Sequence, residues 1–394
     1  MNEQAEMSKV IVGYFASWAI YSNHFVWDID LSKVTHLNYA FARISENGLV
    51  ALTDPWADTD QRFTARGDTW NDSESNLFGT LGQLFKLKNA NRNLKTGISI
   101  GGWSDSKYFS KVAATPESRA AFIDSAIDMM INFGMDYIDI DWEYPVEGGL
   151  EGNLHSPQDG ENFVRLLEDL WYELQCLNEQ SGRRHFITIA TPAGPYYAVN
   201  FELPRIHQFV EFINIMTYDF SGNWSPTIQH HSNLLPYDGG SISVSQSVQY
   251  YLSQGVPANK IVLGVPFYGR MFQCVGSCSI GGLFTAVNEN QEIINYNKID
   301  TTNVLWDDVA KAPIAILAAR NIAISFENTR SLQLKLQFLK DNNLRGVMFW
   351  ESSGDYPKND SRSLLSTIFS SLSSQLERIN NALSFPDSKY PNVN

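Results

Sequence analysis

Residues 135–145, MDYIDIDWEYP, decide the fold. Ile138, Ile140 and Trp142 alternate with Asp139, Asp141 and Glu143, the two-residue period of a β-strand, so the three carboxylates share one face. Carboxylates two residues apart leave the backbone roughly 6.6 Å from each other, close enough to share protons and to repel if all ionise. A solvated acidic strand is the ordinary source of such a pattern. Here, however, the opposite face is apolar, as a strand covered by helices requires, and Tyr144-Pro145 end the run just past Glu143. Glu143 therefore falls at the C-terminal end of a buried strand, where parallel α/β folds keep their chemistry.

Outward from this stretch, β-like runs recur at 10–15, 34–42, 94–101, 185–192, 210–219, 260–268 and 345–351, making eight with the acidic strand, and helical patterns occupy the seven gaps. In 116–133, Thr115 can cap, Pro116 sits in the first turn, Phe122, Ala126, Met129 and Phe133 keep helical spacing, and Gly134 stops the run. Residues 161–177 repeat the pattern through Phe163, Leu166, Leu167, Leu170 and Leu174. Eight strands alternating with helices predict a (β/α)8 TIM barrel, for which about 250 residues are typical. The chain has 394. A long polar loop at 51–76 and a surplus between strands seven and eight absorb much of the excess. The barrel is accordingly assigned to 1–271 and 329–394, with a small α+β insertion at 272–328 forming a cleft wall. Residues 361–383 read as the last helix, and the remainder as a tail.

Composition narrows the function. With 29 Lys and Arg against 43 Asp and Glu, the net charge of −14 argues against nucleic acid and anionic membranes, which need basic patches. No run approaches the ~20 apolar residues of a membrane-spanning helix. Three cysteines are too few for a disulfide scaffold. Cys274 and Cys278 can close a small disulfide or remain two thiols, and Cys176 reads as a buried apolar residue of a helix. No His/Cys cluster has metal-ligand spacing, so neither a metal nor another cofactor is expected, and His230-His231 read as surface residues of a polar loop.

In a barrel, functional side chains gather at the C-terminal strand ends. Strand one offers Tyr14 and then Trp18, strand two Tyr39 and Phe41, and strand three Ser99-Ile100-Gly101-Gly102-Trp103, a hydroxyl close to the buried acids beside glycines that let the backbone approach. Strand six ends Met216-Thr217-Tyr218-Asp219, strand seven gives Gly264, Pro266, Tyr268, Gly269 and Arg270, and strand eight ends at Trp350.

Asp136, Asp139, Asp141 and Glu143 stand in the register D-x-x-D-x-D-x-E, and residues 99–102 read S-x-G-G. In both motifs, and in order from Val10 to about Asp355, the chain resembles glycoside hydrolase family 18, the chitinases and their relatives, in its bacterial-type catalytic domain. One departure is Tyr137, where family members usually carry Gly; pointing inward like Asp139, it must face something small. In the insertion, WDDVAKAP at 306–313 and ISFEN at 324–328 are similar to the small α+β insertion of many such chitinases, with Phe326 and Glu327 replacing the usual Tyr and Asp. The resemblance implies Glu143 as general acid/base, Asp141 and Asp139 as its catalytic partners, and Tyr218 on the substrate's N-acetyl group. Trp350 is implied as the hydrophobic floor of subsite −1, with Asp219, Tyr268 and Arg270 around it. Tyr14, Phe41, Ser99, Gly102, Trp103, Tyr144, Met216 and Trp224 complete the expected substrate-binding set, and Trp56 and Trp70 are candidates for extending the sugar track.

Most glycosidases oppose two carboxylates across the sugar ring, whereas three acids on one strand give no opposed pair. The family solves this by substrate assistance, in which the 2-acetamido oxygen attacks C1 to form an oxazolinium ion. The expected activity is retaining hydrolysis of the β-1,4 linkages of chitin and chitooligosaccharides, by a monomer. Two rivals remain: an endo-β-N-acetylglucosaminidase acting on N-glycans, and a catalytically inactive chitin-binding lectin, against which Glu at position 143 speaks. The resemblance implies a secreted protein. The start, MNEQAEMSKVIVGYF, shows no basic stretch followed by an apolar one, which leaves open a cytoplasmic location, another export route or a lost signal.

Overall fold

The computed structural model describes residues 8–69, 71–239 and 242–394. Eight parallel strands form the barrel: β1 (Val10–Ala16), β2 (His36–Ile44), β3 (Lys95–Gly101), β4 (Tyr137–Asp141), β5 (Phe186–Pro192), β6 (Phe212–Met216), β7 (Ile261–Pro266) and β8 (Gly346–Trp350). Their order is β1-β8-β7-β6-β5-β4-β3-β2, and β1 also pairs with β2, which closes the sheet into the (β/α)8 barrel expected from the sequence. Ser99, Asp139 and Thr188 lie in one row across β3, β4 and β5.

Contacts divide the chain into two compact units. One comprises Tyr14–Pro192, Tyr196–Asn214 and Glu377–Asn394. There, the helix Pro116–Asn132 starts as expected: Thr115 Oγ1 accepts from the Ser118 amide at 3.2 Å, within a capping box. This helix and Asp159–Ser181 cover the outer face of β4. Ile138 and Ile140 are fully buried; Trp142, just past the strand, stacks on Phe109 at 5.2 Å and meets Phe163 edge-on at 5.4 Å. Burying such side chains contributes about 2–3 kcal/mol each, so the motif's apolar half anchors the strand that carries its acids. The inward Tyr137 ring stacks on Phe186 at 4.9 Å, and the small residue facing it is Gly97, where a Cβ would lie 2.2 Å from the phenol ring. Asp136 turns away from the catalytic end. Its carboxylate pairs with Lys88 at 2.9 Å and accepts from the amides of Thr96 at 2.8 Å and Ala382 at 3.0 Å.

The other unit includes Ile215–Leu376 and contains a second, antiparallel sheet. Its strands Leu283–Thr285, Tyr268–Val275, Ile322–Ser325, Ala312–Leu317 and Val304–Asp307 are adjacent in that order, and Ile293–Asn295 pairs with Tyr268–Val275. Ile228, Phe272, Cys274, Ile314 and Ala323 form its core. Cys274 and Cys278 are joined by a disulfide across a Cα separation of 5.3 Å. Glu327 is buried and pairs with buried Lys335 at 2.9 Å.

Three sequence expectations need correction. The gap between β1 and β2 holds only the 3-10 turns Ser17–Ser22 and Leu31–Lys33, too short for a covering helix. The last α-helix is Leu364–Leu372, followed by a 3-10 turn at Ser373–Gln375, and does not continue to residue 383. Its continuation fails because the downstream residues are tied elsewhere as extended chain: Glu377 pairs with Lys95 at 2.5 Å, and Asn381 Nδ2 donates to the carbonyls of Lys88, Asn91 and Leu94. Finally, the 51–76 segment has structure of its own. A short strand, Val50–Leu52, pairs with β2, a π-helix spans Trp56–Asp60, and buried Asp58 accepts a hydrogen bond from Tyr39.

Candidate active site

Alternation along β4 and its continuation stacks Asp139, Asp141 and Glu143 on the inward face, with 0, 4 and 8% of their surface exposed, so the ladder rises toward solvent at Glu143. Asp139 is heavily hydrogen-bonded. Tyr14 donates to Oδ2 at 2.8 Å, Ser99 to Oδ2 at 2.7 Å and Thr188 to Oδ1 at 2.6 Å. Burial raises its pKa, while these donors, together with Asn214, oppose the rise by favouring the ion. Asp141 has the contrary environment. Its Oδ1 is buried with no hydrogen-bond partner among the described residues. Burial, then Glu143, then Asp139 push its pKa well above the carboxylate range. Burial and the two neighbouring carboxyl groups thus favour the protonated form of the middle rung.

The backbone around Glu143 is fixed by close contacts. Ser106 Oγ accepts from the Glu143 amide at 2.9 Å, and the Glu143 carbonyl accepts from Asn153 Nδ2 at 3.0 Å. Gly149 must be glycine for two reasons: its φ is +73°, and a Cβ would sit 2.0 Å from the Glu143 carbonyl. The peptides Ala40-Phe41, Glu143-Tyr144 and Trp350-Glu351 are cis.

Tyr14 and Ser99 are buried with their hydroxyls on Asp139. The Gly102 amide donates to the Asp141 carbonyl at 2.8 Å, and a Cβ at Gly102 would meet the buried Phe41 ring. Trp18 lies 6.3 Å from Phe41, ring to ring, and Trp18, Trp56 and Trp103 are each about half exposed. Tyr144 stacks on Tyr197 at 4.8 Å. Trp70 lies outside the described residues.

In the other unit, Met216 ends β6 and half-buried Trp350 ends β8, in register with Pro266. Tyr218 and Asp219 follow β6 directly, and the Tyr218 ring meets Tyr268 edge-on at 6.2 Å. Tyr268 and Arg270 lie on the first strand of the second sheet. Both converge on Asp219: the Tyr268 hydroxyl and Arg270 Nε each donate to Oδ1 at 2.6 Å. Burial works against the Asp219 charge, but Arg270 and His231 outweigh it and hold the carboxyl below the usual range. Arg270 also donates to Glu292 at 2.6 Å and lies under the exposed Trp224 ring at 4.7 Å. His230 and His231 are not surface residues. Both are buried, His231 3.6 Å from Asp219 and His230 3.3 Å from Asp307, because Ser325 and Asp307 of the second sheet cover their loop.

Sequence reasoning missed Thr188, Asn214, Ser106, His231 and Glu292. Only Thr188 and Asn214 carried a signal, since both share the inward parity of their strands. Among the described residues, no group of three or more His, Cys, Asp or Glu could hold a metal ion, and no helix is long and apolar enough to cross a membrane.

The stacked carboxyl groups thus stand at a strand end of a closed (β/α)8 barrel, and the family match makes the chain a glycoside hydrolase. The sequence profile of the glycosyl hydrolases family 18 matches residues 10–355, and the chain belongs to that family. It is 38% identical over 412 residues to Chitinase A1 of Niallia circulans, covering 90% of this chain but only 58% of that protein. With Endochitinase 1 of Metarhizium robertsii it is 36% identical, over 96% of this chain and 89% of the relative. Among solved structures, chitinase ChiA74 from Bacillus thuringiensis superposes with a TM-score of 0.86 at 32% identity, over 95% of this chain and 71% of that one.

Proposed function

We propose that the enzyme is a chitinase that hydrolyses β-1,4 linkages between N-acetylglucosamine units of chitin and chitooligosaccharides, retaining configuration, with the substrate's own acetamido oxygen as nucleophile. The observation that supports this best is the asymmetry of the ladder: Asp139 carries three hydroxyl donors, whereas Asp141 Oδ1 has none. A carboxylate nucleophile has to lie across the sugar ring from the acid, about 5–5.5 Å away. Asp139 and Asp141 lie instead below Glu143 on the same face of one strand.

In this reading Glu143 protonates the glycosidic oxygen. Asp141 binds the acetamido N–H through its unpartnered oxygen and shares a proton with Glu143, so that the acid is protonated when substrate arrives. Asp139, kept charged by its donors, disfavours negative charge on Asp141 and so keeps a proton within the Asp141–Glu143 pair. Water then opens the oxazolinium ion from the face the leaving group vacated. Family membership extends the reading to Tyr218 on the acetamido oxygen, to Trp350 as the floor, and to Asp219, Tyr268 and Arg270. Tyr14 and Ser99 act through Asp139, while Phe41, Gly102, Trp103, Tyr144, Met216 and Trp224 shape the sugar track. Residues 272–328 supply a wall of the groove, and the enzyme works as a monomer. The Cys274–Cys278 disulfide supports an oxidising, extracellular setting.

Comparing N-acetylated with fully deacetylated oligosaccharides tests this. Chitooligosaccharides should give β-anomeric products, and chitosan should be inert even where it binds. Cleavage of chitosan, or a stable 2-fluoro-sugar ester on any carboxylate found by intact-mass measurement, would overturn the mechanism.

A further inference from the structure

Directly beneath the ladder, several buried polar atoms of the barrel interior have no protein partner among the described residues. Asn38 on β2, Gly97 on β3 and Tyr137 on β4 are aligned by register. Because the Tyr137 ring lies over Gly97, where a Cβ would be 2.2 Å from it, the phenol is carried toward the Asn38 side. Both side-chain atoms of Asn38, the Tyr137 hydroxyl and Asn214 Oδ1 are buried and lack a hydrogen-bond partner among the described residues. Asn38, Tyr137 and Asn214 are each fully buried. The layer adjoins Asp139: Asn214 Nδ2 lies 3.4 Å from the Tyr14 hydroxyl, which itself donates to Asp139.

Four orphaned polar atoms from three strands are too costly to leave unsatisfied, and between them they offer both donors and acceptors. A water molecule in such a site makes two to four hydrogen bonds. We propose that Asn38, Tyr137 and Asn214 form a buried water site under Asp139, and that through it Tyr137 is a positioning residue that helps keep Asp139 charged. The water donates to the carbonyl oxygens of Asn38 and Asn214 and accepts from the Tyr137 hydroxyl and Asn38 Nδ2. This orients the asparagine whose Nδ2 faces the Tyr14 hydroxyl, and Tyr14 in turn donates to Asp139. The titratable groups facing the layer are Tyr14 from β1, His36 from β2, and Asp139 and Asp141 from β4, with Glu143 above them and Asp136 tied to Lys88 below. Burial and the charges of Asp139 and Asp136 raise the Tyr137 pKa, so the phenol stays a donor.

The catalytic half of this inference rests on the acid ladder proposed above; the water site does not. A high-resolution crystal structure of the unmodified protein should show ordered water within hydrogen-bond distance of at least two of the named atoms, and a dry interior overturns the proposal. In Tyr137→Phe, which keeps the ring and its stacking on Phe186, the acidic limb of the kcat profile should move up by about half a pH unit with KM unchanged, because the charged form of Asp139 loses support. An acidic limb that coincides with the parent's also overturns it. Failure of the ladder itself would be recognised separately, by full activity of Glu143→Gln.

Discussion

Thr188→Val tests whether Asp139 has to be an ion. The substitution keeps the side chain's shape but removes the shortest of the three hydroxyl donors to Asp139, at 2.6 Å against 2.7 and 2.8 Å for Ser99 and Tyr14. A hydrogen bond to a charged group is worth about 1.5–3 kcal/mol, and 1.36 kcal/mol is one pKa unit, so the Asp139 pKa should rise by about one to two units. The sign is upward because the hydroxyl favours the charged form. On a soluble N-acetylglucosamine trimer, the acidic limb of kcat/KM should shift up by that amount. Between the old and new limbs the rate should fall about 10- to 100-fold, and above the new limb the two profiles should converge. Stability follows the same sign. Burial already holds the folded pKa of Asp139 above its unfolded value, so the charge costs stability above that value, and the substitution enlarges the cost at neutral pH. Below the unfolded pKa of about 3.9, where Asp139 is protonated in both states, this part of the deficit should vanish. Coincident acidic limbs for parent and variant would refute the assignment of Asp139 as the charge that keeps a proton within the Asp141–Glu143 pair.

Glu143→Gln should lose at least about 10²–10⁴-fold in hydrolysis while calorimetry finds oligosaccharide binding intact, since the amide keeps the shape without the proton. Asp58, whose pKa burial pushes up to about 6 against the opposing hydrogen bonds of Tyr39 and Asp54, costs stability that appears between about pH 4 and 6 and amounts to about 3 kcal/mol above that range; in Asp58→Asn, denaturant curves should lose this pH dependence. Lys335→Met leaves the Glu327 carboxylate buried without its cation and should cost about 3–5 kcal/mol, most of it recovered by adding Glu327→Gln. Gly97→Ala should destabilise by about 3 kcal/mol or more, because its Cβ would lie 2.2 Å from the Tyr137 ring; in a Tyr137→Ala background the same change should cost far less, a coupling measurable by a double-mutant cycle.

What could be read from the sequence was what the chain states locally. The two-residue period of 138–143 announces a strand with acids on one side, and its answer in three dimensions is Trp142 packed outward on Phe109 while Asp139 faces inward. Thr115-Pro116 and Gly134 likewise bound a helix without outside help, because capping is decided within a few residues. What stayed hidden depends on register between distant segments. Thr188 shares its row with Asp139 across 49 residues of chain, and nothing in FITIATP distinguishes an inward Thr that holds a carboxylate from one that merely fills space. His230 and His231 sit among Ser, Asn and Gln, a composition that reads as exposed loop, and only the strands at 304–307 and 322–325 bury them. The Tyr137 departure falls between these cases. Its need for a small neighbour follows from parity alone, yet naming Gly97 takes the pairing of β3 with β4, which places that glycine opposite the phenol. A residue type therefore told of a requirement, and only the register told which residue meets it.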